Sequence, residues 1–122
     1  MTIKILAIDD SRTIREMLRQ TLTNGGFEVH VAEDGVDGLE KLPDVLPDVV
    51  ITDINMPRMD GFGVIEAIRA ASEFAGMPIL VLTTESAQEL KDRARNSGAT
   101  GWIVKPFDDS KLIGTIRRIT VA

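Results

Sequence analysis

The chain has 122 residues, 43% of them hydrophobic and 27% charged, enough to enclose one core and so to make one domain. Its formal net charge of −5 argues against a nucleic-acid partner, which needs a basic footprint. With no cysteine and a single histidine, His30, it has no disulfide, no thiol chemistry and no thiolate or multi-histidine metal centre.

The start, MTIKILAIDD, holds an apolar run too short for a signal peptide and lacks a small-residue cleavage site. No apolar run approaches the roughly 20 residues that span a bilayer. The expectation is a cytoplasmic protein without membrane insertion. No repeat, low-complexity tract or linker is visible, so residues 1–122 are expected to form a single domain with no attached output domain.

Residues 3–8 (IKILAI) read as a strand buried on both faces, ended by Asp9 and Asp10. Ser11 is a candidate N-cap for a helix with Ile14, Met17, Leu18 and Leu22 on one face, stopped by Asn24-Gly25-Gly26. A second strand runs from Phe27 to Val31. A short helix over 35–42 turns Val36, Leu39 and Leu42 inward and ends at Pro43. A third strand, Asp48 to Thr52, stops at Asp53, and a loop from Asn55 to Asp60 holds Pro57. Gly61 to Ala71 carries Phe62, Ile65 and Ile68 at helical spacing.

Met77 to Leu82 is a fourth strand, entered through Pro78. Residues 86–97 form a weakly amphipathic helix in which only Ala87, Leu90 and Ala94 look inward. Thr100 to Val104 is a fifth strand, followed by Lys105 and Pro106, where a cis peptide is an option. On that strand Trp102 points to the opposite sheet face from Ile103. The last helix, Ser110 to Thr120, has Leu112, Ile113, Ile116 and Ile119 as its apolar residues.

This alternation, strand then helix five times over, implies an α/β fold: a parallel sheet with helices on both faces. In such sheets ligands bind beyond the carboxyl ends of the strands. Asp9, Asp10, Asp53, Thr83 and Lys105 all lie there. Taken singly each is an ordinary turn, cap or strand-end residue. Together at one sheet edge they read as a site. Two like charges about 4 Å apart repel by roughly 4 kcal/mol at an effective dielectric near 20. Three converging carboxylates therefore call for a cation. With oxygen ligands only, that cation is Mg2+, with Mn2+ possible. The Lys105 ammonium suits an anionic group beside the cation, and the hydroxyls of Thr83 and Thr84 suit phosphate oxygens.

The motifs DDS (Asp9–Ser11), TDINMPRMDG (Thr52–Gly61), LTTE (Leu82–Glu85) and KPF (Lys105–Phe107), in that order, resemble those of the receiver domain of two-component response regulators. The likeness covers the whole chain, and DDSRTIR, EDGVDGLEKL and GATGWIVKPF are most similar to the family's single-domain chemotaxis members. The resemblance implies a flavodoxin-like (βα)5 fold with strand order 2-1-3-4-5. It also implies a phosphoacceptor switch that assists its own phosphorylation and dephosphorylation, rather than an enzyme with a separate substrate. By the same resemblance Asp53 accepts a phosphoryl group from a CheA-like histidine kinase. Asp10, Asp53 and the Asn55 backbone carbonyl bind Mg2+, and Asp9 holds a metal-bound water. Thr83 and Lys105 grip the phosphoryl oxygens. The side chains of Asn55 and Glu85 tune hydrolysis. Trp102 stands where tyrosine or phenylalanine is more usual, and Thr84 where a small residue is. The implied output is the flagellar motor switch, read by a monomer through the fourth helix, fifth strand and fifth helix, with a dedicated phosphatase as a further partner.

A phosphate sink that drains the kinase without engaging the motor is the alternative within the family. An Mg2+-dependent aspartyl-phosphate hydrolase of the haloacid-dehalogenase kind is disfavoured, because Asn55 stands where such enzymes carry an acid/base aspartate. A flavin or nucleotide binder is disfavoured too, because the loop after the first strand offers carboxylates where a phosphate cradle needs glycines and amides. No helix-turn-helix pattern follows the receiver-like segment, so no DNA-binding role is expected.

Overall fold

A computed structural model describes residues 2–120. The elements alternate without exception: β1 (Lys4–Ile8), α1 (Arg12–Asn24), β2 (Glu28–Ala32), α2 (Gly35–Val45), β3 (Val49–Thr52), α3 (Gly61–Ala70), β4 (Ile79–Thr83), α4 (Gln88–Ser97), β5 (Gly101–Val104) and α5 (Asp109–Ile119). A 3-10 turn, Ser72–Phe74, which the sequence reading does not include, follows α3; its buried side chain is Phe74. All strand pairs are parallel, and the order is β2-β1-β3-β4-β5, as the resemblance implied.

The central strands are mostly apolar because helices cover both faces. One layer unites Leu6, Ile8, Val50, Ile54 and Val81 with Phe62, Ile65 and Ile68 of α3. The other unites Ile5, Ala7, Ile51, Leu80 and Leu82 with Leu18 and Leu22 of α1 and Leu112 and Ile116 of α5. Trp102 packs against the first layer and Ile103 lies in the second, as their alternation requires.

Several boundaries and faces differ from the sequence reading. The helix expected to stop at Pro43 runs on to Val45. Proline removes only its own N–H, and the later turn still closes, with Leu46 N–H donating to the Leu42 carbonyl at 2.9 Å. Met17 is not a core residue: it is 47% exposed, at the edge of the α1 stripe. Ala87 is exposed and is the N-cap of α4, without a side-chain cap bond. β2 starts at Glu28 rather than Phe27, and β4 spans Ile79–Thr83, so Thr83 belongs to the strand. His30, given no role, pairs at the surface with Glu28 at 2.8 Å. Among the described residues no helix is long and apolar enough to cross a membrane.

Candidate functional site

The sheet register brings the acids together. Ile8 is opposite Thr52 in the β1–β3 pairing. The ladder continues one residue beyond, with the Asp53 N–H donating to the Ile8 carbonyl at 3.0 Å. On the other side the Asp9 N–H donates to the Ala32 carbonyl of β2 at 3.0 Å. Asp9 and Asp53 therefore leave adjacent strands side by side, and Asp10 follows at the exposed rim. Carboxylate oxygens of Asp9, Asp10 and Asp53 all lie within 4.8 Å of one another.

The repulsion expected among them is met by a side chain of the protein. The Lys105 Nζ donates to Asp9 Oδ2 at 2.6 Å and to Asp53 Oδ2 at 2.7 Å. Its side chain is 9% exposed, against 2% and 11% for the two aspartates. Burial alone would depress the lysine pKa, but the hydrogen bonds to Asp53 and Asp9 and their charges outweigh it, so the pKa is raised and the ammonium stays charged at neutral pH. For Asp9 burial dominates: it lifts the pKa above the usual carboxylate range although Lys105 and the Ser11 N–H pull it down. The Lys105-Pro106 peptide is cis.

The second oxygens of Asp9 and Asp53 have fixed partners. Asp53 Oδ1 accepts from the Ile54 N–H at 2.6 Å, and Asp9 Oδ1 from the Ser11 N–H at 2.9 Å. Ser11 also caps α1 as expected, its side chain accepting from the Ile14 N–H. Thr83, fully buried, accepts through Oγ1 from the Glu85 N–H at 3.4 Å. Thr84 is exposed. The Asn55 side-chain amide donates to Glu85 Oε1 at 2.9 Å, linking the loops after β3 and β4. The Trp102 indole N–H donates to the Glu85 carbonyl at 3.1 Å.

Three oxygen-only acids at this spacing suit a hard divalent cation such as Mg2+ or Mn2+, and no soft ligand competes for the position.

Four residues near the site were given no role from the sequence. Arg15 donates to the Asp9 carbonyl at 2.8 Å. Gly61 lies so close beneath the Asp53 carbonyl oxygen that a Cβ there would collide with it. Asp34 and Arg58 form an ion pair between the start of α2 and the loop after β3. The Gly of the Asp60-Gly61 pair was within reach of sequence reading, as a glycine that permits close backbone approach. The other two contacts depend on three-dimensional proximity.

The sequence profile described as "Response regulator receiver domain" matches residues 5–117. Among solved structures, chemotaxis protein CheY4 of Vibrio cholerae is 44% identical, with a TM-score of 0.93 over 98% of this chain and 99% of that one. A CheY-like response regulator receiver domain protein from Methanospirillum hungatei is 27% identical, with a TM-score of 0.91 over 98% of this chain and 94% of that one. Among curated proteins, response regulator MprA of Mycobacterium sp. (strain KMS) is 35% identical over 119 residues, and that of Mycobacterium leprae 37% over 116. Those alignments cover 98% and 95% of this chain, which spans about half the length of each of these relatives.

Proposed function

The chain belongs to the family of response regulator receiver domains, and we propose that it is a phosphorylation-gated switch of the chemotaxis kind, with Asp53 as phosphoacceptor. The observation that carries this reading is the Lys105 ammonium held between Asp9 and Asp53 at 2.6 and 2.7 Å, at the carboxyl edge of the sheet.

In the proposed reaction an Asp53 carboxylate oxygen attacks the phosphorus of a phosphohistidine on a CheA-like histidine kinase. The phosphorus–nitrogen bond breaks as the phosphorus–oxygen bond forms, and the imidazole leaves with the electron pair. Phosphoryl transfer of this kind needs positioning and charge stabilisation more than covalent help. Lys105 gives up its bond to Asp53 and takes a phosphoryl oxygen; Thr83 holds another through its hydroxyl. Asp9, Asp10, Asp53 and the Asn55 backbone carbonyl would hold Mg2+, or Mn2+, which supplies charge neutralisation at the oxygens of the transferring group. Water attack on the resulting acyl phosphate returns Asp53 and inorganic phosphate, and the linked side chains of Asn55 and Glu85 limit that water's approach.

The switch is read through α4, β5 and α5. Phosphorylation draws Thr83 from its bond to the Glu85 N–H and loosens the segment that Trp102 ties to β5. Thr84 narrows the approach to Asp53. The proposed setting is the cytoplasm, as a monomeric receiver acting on a flagellar motor switch protein, with a phosphatase to shorten the signal. Identity of 44% to CheY4 supports the chemotaxis assignment.

The test is phosphotransfer from an autophosphorylated CheA-type kinase, followed by binding of the product to a motor-switch peptide. Transfer with enhanced peptide binding supports the full reading. Transfer without binding reduces it to a phosphate sink, and absence of transfer contradicts it.

A further inference from the structure

Outside the acidic pocket, the loop between β3 and α3 holds a constrained turn. Arg58 sits there with φ of 65°, a left-handed conformation that an arginine adopts at a cost. The Met59 N–H donates to the Pro57 carbonyl at 2.7 Å, so Arg58 is the centre of a γ-turn with positive φ, the rarer and strained form. Something must hold that turn closed.

Two contacts do so, both with the start of α2. The Arg58 guanidinium makes a fork on Asp34, Nε donating to Oδ2 at 2.8 Å and Nη2 to Oδ1 at 3.0 Å. Asp34 is 4% exposed, and its Oδ1 also accepts from the Asp37 N–H at 2.9 Å as the N-cap of α2. Beside it, Gly35 lies against Met59: a Cβ on Gly35 would stand 2.7 Å from the Met59 carbonyl oxygen. The far end of the same loop is pinned where the Gly61 N–H donates to the Ile54 carbonyl at 2.9 Å. Asn55 lies between these fixed points.

Asp34 is itself two residues beyond Ala32, whose carbonyl receives the Asp9 N–H. One ion pair therefore ties the loop that follows Asp53 to the strand end that supports Asp9. We propose that the Asp34–Arg58 pair is a positioning clasp: it holds the strained β3–α3 loop so that the Asn55 backbone and the Asp53 carboxylate are preset for a divalent cation. Arg58 touches none of the reacting atoms and acts through the loop. This rests on the receiver reading, in which those groups bind Mg2+.

The test is calorimetric titration of MgCl2 into the wild-type chain, Arg58→Ala, Asp34→Asn and the double variant, well below their melting temperatures. Asp34→Asn keeps a capping oxygen for the Asp37 N–H, so α2 retains its start and the readout is separated from helix loss. Each single variant is expected to bind Mg2+ roughly three- to tenfold more weakly, somewhat less than the ~10–100-fold lost when a direct partner of a metal ligand is removed. The double variant should be no weaker than the worse single one, because both remove one clasp. Arg58→Lys, which offers a single donor group in place of the fork, should fall between wild type and Arg58→Ala. Variants with native circular dichroism and wild-type affinity would overturn the clasp while leaving the receiver reading intact. A wild-type chain that takes up no Mg2+ would overturn the proposed metal-dependent switch, and the clasp with it.

Discussion

Lys105 and Asp53, 52 residues apart in sequence, form an ion pair of 2.7 Å in which both side chains are almost fully withdrawn from water. Removing one member of such a pair leaves the other buried and uncompensated, which costs more than the pair contributes. Lys105→Met is therefore expected to destabilise the metal-free protein by about 1–3 kcal/mol, the lower end reflecting the exposed rim at Asp10. Saturating MgCl2 should stabilise the variant more than the wild type, because a cation replaces the missing ammonium. Urea unfolding with and without MgCl2 checks this, and an Mg2+ response no larger in the variant would contradict it.

Gly61 is where the chain turns back beneath the end of β3. A methyl group at this position meets the Asp53 carbonyl oxygen and the Ile54 Cα, both backbone and neither able to swing away. Gly61→Ala should cost at least ~2 kcal/mol of stability through overpacking and a backbone shift. Because the displaced atom belongs to Asp53, Mg2+ affinity should fall together with the melting temperature. By contrast, Gly76 has open space around its Cβ position. Gly76→Ala should leave both unchanged in the same calorimetric and thermal measurements.

Asp34 supplies a pH dependence of definite sign. Its hydrogen bonds from the Arg58 guanidinium, and then from the Asp37 N–H, hold its carboxyl below the ordinary aspartate range. A carboxyl whose folded pKa is depressed stabilises the fold above its unfolded pKa, and that contribution is lost as pH falls through the folded value. The stability difference between wild type and Asp34→Asn should thus be constant from pH 7 down to about 5 and shrink below about pH 4. Denaturant midpoints across that range measure it; a difference that grows on acidification would be inconsistent with the pair.

Trp102 holds the loop after β4 through its bond to the Glu85 carbonyl. Trp102→Phe retains the aromatic packing against the core layer but loses that donor, at an expected cost of about 1 kcal/mol. Since Ala87 gives α4 no side-chain cap, the loss should be local: faster amide exchange from Thr84 through the first turn of α4, with β4 unchanged. Exchange measured by mass spectrometry should place the change there and nowhere in β1 or β3.

The fold was legible because its signals are local and repeated. Each buried strand is a short β-branched run, each helix has a periodic stripe, and acids or glycines punctuate them. The gathering of Asp9, Asp53 and Lys105 followed from parallel topology alone, since parallel strands bring like ends to one edge. Where reading failed, the cause was physical. Pro43 does not end α2, because only its own donor is lost and the later turn still forms. Met17 carries the right period but lies at the margin of its stripe. The sequence does not show that Lys105 spans two of the three acids, because its contact with Asp9 joins residues 96 positions apart. The Arg58 turn was equally hidden, because a positive φ at a non-glycine residue leaves no mark in composition.

Phosphorylation at Asp53 is the most direct test of the proposed switch. Intact-mass spectrometry after incubation with a small acyl-phosphate donor and MgCl2 measures this in wild type and Asp53→Asn. The expected result is one added phosphoryl group on the wild type, absent without Mg2+ and absent from Asp53→Asn, with tandem fragmentation locating it at Asp53. An adduct of the same yield on Asp53→Asn, or none on the wild type at saturating donor and Mg2+, would contradict the account.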